Sequence, residues 1–451
     1  MNVQPILELA DELISDYTGE GLDYWQKIIL EGTLNSKTYS TIAEETYSSE
    51  SHVRSVGAKL WKMLSEILDE RITKTNLKAI LESANIYIAS MGRDNVTNNI
   101  NFCSSKLHPS PNPHQQKTPI QTIIDLDKAP QITNFYDRDE ELSILSQWVA
   151  GDRLRLISLV GLSGIGKTTL SLRLIEEIKT HFNCIIYRSL RFSPCLKTTL
   201  TNLLETLSPD TKASQEIETL INQIFQKLQK TRCFIVLDDL HQLFKKGKQA
   251  GKYASGYEDY RQFFQLLASS SHSSCSLLIS REKLREMEKV ENDNYPGRSL
   301  LLSSLGEGAK EILQKHGLKD KKSWQKLIDN YQGNPRWLEI VAATIQDLFG
   351  GKVGEFIEYE TLILPEALQG ELEQEFERLS PVEREIIQLI ARENGATTFP
   401  KLLGKLQLSA SEVVNAIQSL KMRLLLEGIQ QDNSTLLVLN PLWQQYGLVA
   451  E

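Results

Sequence analysis

The chain has 451 residues, 41% hydrophobic and 24% charged, a globular composition that excludes wholesale disorder and suggests two to four domains. Its 50 Lys and Arg against 58 Asp and Glu give a net charge of −8, the wrong sign for a protein whose main task is coating nucleic acid. Five cysteines (Cys103, Cys184, Cys195, Cys233, Cys275) form no CxxC pair, which points to a reducing cytoplasmic setting and away from a disulfide framework or a zinc site.

The first twenty residues carry five acids and no Lys or Arg, unlike a secretory signal or transit peptide. Residues 1–87 read as an all-helical domain. Short helices are predicted at Tyr24–Leu30 and Tyr39–Thr46, around a turn-prone Gly32–Lys37. The spacing of Val53, Val56, Leu60, Met63, Leu64 and Ile67 predicts a longer amphipathic helix from about Ser49, completing a helix-turn-helix pattern. Residues 88–130 are amide-rich at Asn95–Asn101 and proline-rich between Leu107 and Pro119, so they read as a mobile linker. Over 131–285, apolar runs at Arg155–Val160, Cys184–Arg188, Cys233–Leu237 and Ser276–Ile279 alternate with helical stretches. That alternation predicts a parallel sheet covered on both faces. Residues 286–368 read as helical, and 369–451 as helices followed by a hairpin around Gln431–Ser434, a winged helix. The expected fold class is multi-domain α/β: a parallel sheet covered by helices, flanked by an N-terminal helix-turn-helix domain and a C-terminal helical plus winged-helix region. The sequence shows no internal repeat of 20–50 residues and no apolar run the length of a membrane span.

Gly161-Leu-Ser163-Gly164-Ile165-Gly166-Lys167-Thr168 satisfies G-x-x-x-x-G-K-[ST] between a predicted strand and a predicted helix that opens with Thr169. Glycines let consecutive backbone N–H groups turn inward as an anion nest, and the helix start adds its positive dipole end. Lys167 is expected at the β- and γ-phosphates and Thr168 on Mg²⁺. The run Cys233–Asp238 ends in an acid, Asp238, 71 residues beyond Lys167, and a second acid, Asp239, follows it. Open α/β sheets bind ligands at the edge where such strands end. Asp238 is thus placed to hold Mg²⁺ through water. Asp239 either orients or deprotonates the attacking water, or is a solvated loop acid or helix cap. Arg281, after Leu277–Ser280, either reads the γ-phosphate through its planar fork or caps the sheet at the surface.

These three strand ends, with Gly333-Asn334-Pro335 at a predicted helix start, resemble the NB-ARC NTPases, signal-transduction P-loop ATPases that include plant resistance proteins and apoptosome scaffolds. Tyr136-Asp137-Arg138-Asp139-Glu140-Glu141-Leu142 is similar to the hydrophobic-Gly-Arg-x-x-Glu motif that opens the family's module, with Asp137 where glycine is usual. Tyr187–Arg191, Ala254–Glu258 and Ala342–Phe349 resemble cyanobacterial members, in which WD40 or other repeats often follow. Here the sequence runs only a few residues past Tyr446 and no repeat array is expected. Thr38–Glu44 and Val56–Trp61 resemble the helix-turn-helix at the front of vWA-MoxR-associated proteins. The resemblance implies ATP or ADP with Mg²⁺ as cofactors, Pro335 packed on adenine and Phe135 or Tyr136 closing its other side. It also implies a switch with weak ATPase activity that assembles in its ATP form. One departure stands out. Relatives close the ADP form with a Met-His-Asp motif, whereas Leu439-Asn440-Pro441-Leu442-Trp443 holds no histidine, leaving Asn440 to reach the β-phosphate.

The N-terminal module is expected to dock a protein partner. A DNA-binding regulator is the alternative, opposed by charge: residues 1–90 hold eight Lys or Arg against fourteen acids, although Arg54, Lys59 and Lys62 share one helix. His241, just past Asp239, is expected at the surface, and Lys245, Lys246, Lys248 and Lys252 are expected on a solvated loop.

Overall fold

The structure, a computed structural model, describes residues 21–68 apart from 36, 47 and 49, residues 122–450 apart from 360, 432 and 433, and Leu7, Ala10, Asp11, Ile14 and Leu77. The chain divides into a unit of residues 1–116 and a unit of residues 117–451. Most of the expected linker, 88–121, lies outside the described residues.

In the first unit, helices span Tyr24–Leu34, Tyr39–Glu45 and Glu50–Leu68. Asp23 and Gln26 form a reciprocal capping box that starts the first helix, and Thr38 caps the second, satisfying N–H groups that lack partners in the helix itself. Ile29, Leu30, Leu34, Ile42, Val53, Leu60 and Leu64 form the core. Gly32 is required where the first two helices cross, since a Cβ there would stand 2.6 Å from Ile42 Cδ1. The first helix therefore runs to Leu34, into the stretch expected to be turn.

The second unit is built on a six-stranded, all-parallel sheet of order β1-β3-β4-β5-β2-β6. Its strands are β1 (Ile123–Asp125), β2 (Leu156–Val160), β3 (Cys184–Ser189), β4 (Cys233–Asp238), β5 (Cys275–Ser280) and β6 (Gly297–Leu301). Every residue of β2, β4 and β5 is buried, as sheets covered on both faces require. Two apolar cores, one around Leu200, Ile224 and Phe263 and one around Leu145, Leu174 and Ile178, cover the sheet.

Two expected boundaries are corrected. β1 pairs in parallel with β3 inside the stretch expected as linker, and β6 pairs with β2 beyond residue 285, where the sheet was expected to end. Both are edge strands with exposed residues, so neither shows the continuous apolar run of a central strand.

Helices Ala309–Lys315, Trp324–Asn330, Pro335–Phe349 and Val353–Ile357 follow, then Glu366–Glu377 and Pro381–Arg392. β7 (Ala396–Thr398), helices Phe399–Lys405 and Ala410–Met422, β8 (Leu426–Gln431) and β9 (Ser434–Leu439) complete a winged helix with sheet order β7-β9-β8, and helix Pro441–Val449 packs behind it. The boundary expected at 368/369 falls inside the helix Glu366–Glu377. One apolar core runs unbroken from Leu305 to Tyr446, so the helical and winged-helix segments pack as one layer.

Candidate functional site

β5 lies between β2 and β4, so the ends of all three strands open on one edge. There a cleft of about 330 Å³ is lined by the loop Ser163–Thr169, by Asp238, Asp239 and Arg281, and by Phe135, Tyr136 and Pro335. The structure thus brings together the predicted site residues, with one exception. Gly161 does not line the cleft; a Cβ there would come within 2.8 Å of the Leu302 carbonyl.

The loop leaves β2 and enters the helix Lys167–Ile178 through left-handed backbone at Gly164 (φ 74°) and Gly166 (φ 102°). L-residues resist that conformation. At Gly164 there is also no room, because the Arg336 Cβ would lie 2.4 Å from an added Cβ. Lys167 Nζ donates to the Gly161 and Leu162 carbonyls at 2.7 and 2.8 Å. Burial, then the neighbouring Arg281, push its pKa down to about 8.

Asp238 is nearly buried and accepts from three donors: Thr168 Oγ1 at 2.6 Å, the Tyr187 hydroxyl at 2.9 Å and the Asp239 backbone N–H at 2.6 Å. Burial raises its pKa, opposed by the bond from Thr168. Asp239 adopts a left-handed backbone (φ 62°), its carboxylate accepts from Ser189 Oγ at 2.9 Å, and its side chain makes no cap bond. Arg281 is ion-paired with Glu375 of the helix Glu366–Glu377.

Sequence reasoning missed several supports of this site. Arg138, 5% exposed, donates to Glu141 at 2.6 Å, to the Ser303 carbonyl at 2.7 Å and to the Ile165 carbonyl at 3.3 Å, clamping the loop. In the sequence only the family resemblance marks it. Its neighbour Asp137, at the position where the resemblance leads one to expect glycine, has a positive φ of 35° and accepts from Gly308 N–H at 3.0 Å. Asn334 is fully buried. Its Oδ1 caps the helix Pro335–Phe349 while its Nδ2 donates to the Ser163 carbonyl at 2.9 Å. The Gly-Asn-Pro triplet was the available signal.

Two further expectations are corrected. His241 is 3% exposed and lines the cleft rather than the surface, because the turn after Asp239 folds inward. Asn440 has its amide engaged, Nδ2 donating to Gln332 at 2.8 Å and Oδ1 capping the last helix. It lines a second cavity, bordered by Leu162, Ile165 and Gln332, and not the cleft lined by Lys167 and Thr168. Lys245, Lys246, Lys248 and Lys252 are exposed, as expected.

The donor set fits Mg²⁺. The Thr168 hydroxyl and the Asp238 carboxylate are hard oxygens 2.6 Å apart, and Mg²⁺ in phosphate sites takes one or two such protein ligands, completing its shell with phosphate and water. Among the described residues no helix is long and apolar enough to cross a membrane.

A model of the N-terminal helix-turn-helix of vWA-MoxR-associated proteins matches residues 1–84, and an AAA-domain model matches residues 152–288. The chain thus carries a helix-turn-helix domain at its front and a P-loop ATPase domain of the AAA type. An uncharacterized WD repeat-containing protein of Nostoc sp. is 37% identical over 323 residues, 67% of this chain and 25% of that protein. Disease resistance protein RGA5 of Oryza sativa subsp. japonica is 28% identical over 115 residues, 24% of this chain and 10% of that protein. The matched stretches therefore span a quarter or less of these relatives. Among solved structures, the Walker-type ATPase of Pyrococcus abyssi aligns with a TM-score of 0.48 at 16% identity, covering 69% of this chain and 96% of that one.

Proposed function

We propose that the protein is a nucleotide-driven switch of the NB-ARC kind, which holds ADP or ATP with Mg²⁺, hydrolyses ATP slowly, and couples the third phosphate to the placement of its C-terminal layer. The observation that carries this reading is the ion pair between Arg281, at the phosphate edge, and Glu375, in the C-terminal helical layer. A γ-phosphate and Glu375 would compete for one guanidinium.

The roles follow from position. The N–H groups of Ser163–Thr168 and the start of the helix Lys167–Ile178 cradle the α- and β-phosphates. Lys167 supplies a point charge to the outer phosphates. Phe135, Tyr136 and Pro335 offer apolar faces to the base. Thr168 and Asp238 would hold Mg²⁺, which when bound neutralises charge on the phosphate oxygens. Asp239 orients a water whose oxygen attacks the γ-phosphorus. The bond to the β-phosphate oxygen breaks and the water's proton passes to the carboxylate. Hydrolysis resets the switch.

The energetic requirement is explicit. Moving a population from 1:99 to 99:1 takes about 5.5 kcal/mol of differential affinity. Two or three charge-assisted hydrogen bonds gained by a third phosphate, at roughly 1.5–3 kcal/mol each, approach that. Light scattering after size separation, in ADP and in a non-hydrolysable ATP analogue, tests assembly; a monomer in both removes that part of the reading. The cytoplasm is the setting that fits.

The match of residues 1–84 to a helix-turn-helix supports a second reading, an ATP-regulated DNA-binding protein. Arg54, Lys59 and Lys62 are exposed on the helix Glu50–Leu68. The net acidic charge of the module favours a protein partner instead. Filter binding across a salt series separates the two, since DNA affinity must fall steeply with salt.

A further inference from the structure

We propose that His241 is a second, uncharged contact for the terminal phosphate of a nucleoside triphosphate, acting beside Arg281. This inference rests on the nucleotide reading above and deepens it. His241 stands three residues after Asp238, in the tight turn Leu240–Leu243 that begins as the chain leaves left-handed Asp239. Its ring lines the cleft near Lys167, Asp239 and Arg281 although the residue is 3% exposed.

The hydrogen-bond inventory of the ring is incomplete. Nε2 lies 3.2 Å from Gln242 Nε2, and Nδ1 is buried without a partner. With the Gln242 amide so placed, its N–H donates to Nε2, which assigns the ring proton to Nδ1. The ring is then an N–H donor without an acceptor, inside a cleft built for an anion. A buried donor of this kind is costly until something accepts from it.

The surroundings fix its charge. Burial, then Arg281, Arg378, Lys167 and Arg191, hold the imidazole well below its usual pKa, so it offers a directional bond rather than another positive charge. Position selects the phosphate. The loop and helix start serve the α- and β-phosphates, whereas His241 follows the acid strand on the side where Arg281 emerges from β5. The turn is also fastened to the C-terminal layer. The His241 carbonyl accepts from Arg378 Nη2 at 3.1 Å, and Arg378 in turn meets Glu375 at 3.8 Å, the same carboxylate that engages Arg281.

The test is a titration of the full chain, wild type and variants, with a fluorescent non-hydrolysable ATP analogue and with ADP. His241→Ala is expected to weaken the ATP analogue about tenfold while changing ADP less than about twofold. His241→Asn, whose amide N–H falls near the Nδ1 position, recovers most of the loss. His241→Gln, which reaches the Nε2 position, does not, and it replaces the alanine variant if that one melts early. Unchanged preference for the ATP analogue over ADP in His241→Ala or His241→Gln overturns the proposal and leaves nucleotide binding standing. Failure of the wild type to bind either nucleotide defeats the nucleotide reading itself, and this inference with it.

Discussion

Glu282, 1% exposed, meets the Arg423 guanidinium at 3.0 Å, joining the residue that follows the Arg281 position to the end of the winged-helix segment Ala410–Met422. Arg378 lies 3.1 Å from the same carboxylate, and Arg423 also reaches Glu383 at 3.2 Å. All four groups are buried. A buried ion cluster is destabilised severely when one member is removed, because the others keep their desolvation cost without a partner. Glu282→Ala should therefore lower stability by about 3–5 kcal/mol, seen as a drop in Tm. A Tm within a degree or so of wild type would show that the cluster does not hold the two layers together.

The pair Arg281–Glu375 makes a prediction of opposite sign. Glu375→Gln releases Arg281 for a third phosphate and should raise the affinity for an ATP analogue over ADP by roughly five- to tenfold, the scale of one hydrogen bond to a charged group. Arg281→Ala should erase the preference. Calorimetric titrations of both variants with both nucleotides settle the matter.

Lys167→Ala removes the ammonium that now rests on the Gly161 and Leu162 carbonyls. Purified variant protein should carry no nucleotide after denaturation and chromatography of the supernatant. Nucleotide content equal to that of the wild type would displace the site from this loop.

Asp125 carries a pH prediction. The hydrogen bond from Arg188, at 2.5 Å, and one from Thr206, at 2.6 Å, hold its carboxyl down at about 2 against the opposing effect of burial. A depressed folded-state pKa means stability that is fully present above the unfolded value near 3.8 and lost as pH falls towards about 2. Because the pair is partly solvated, its worth is discounted to about 1 kcal/mol. Asp125→Asn should fall short of wild type by that amount in urea unfolding at pH 6, and the gap should close between pH 4 and pH 2. A gap independent of pH would refute the assignment.

Much of this protein was legible before its structure. The loop Gly161–Thr168 is readable because a phosphate cradle is made of consecutive backbone amides, so its chemistry is contiguous in sequence. β2, β4 and β5 are readable because burial on both faces demands unbroken apolar runs. By contrast, β1 and β6 sit at edges where only one side is shielded, and their exposed residues erase the apolar signature.

What only the tertiary structure decided is which distant side chains share one environment. Arg138 reaches Ser303 across 165 positions, Asn334 reaches Ser163 across 171, and Arg281 meets Glu375 across 94. His241, expected at the surface, is buried by the fold. The sequence by itself determined the phosphate loop, the acid strand end and the layered class, because backbone geometry and periodic burial are local constraints. It left open the partners of Arg281, Glu282 and His241, because an ion pair or an orphaned imidazole is defined by what packs opposite it, and no periodicity records that.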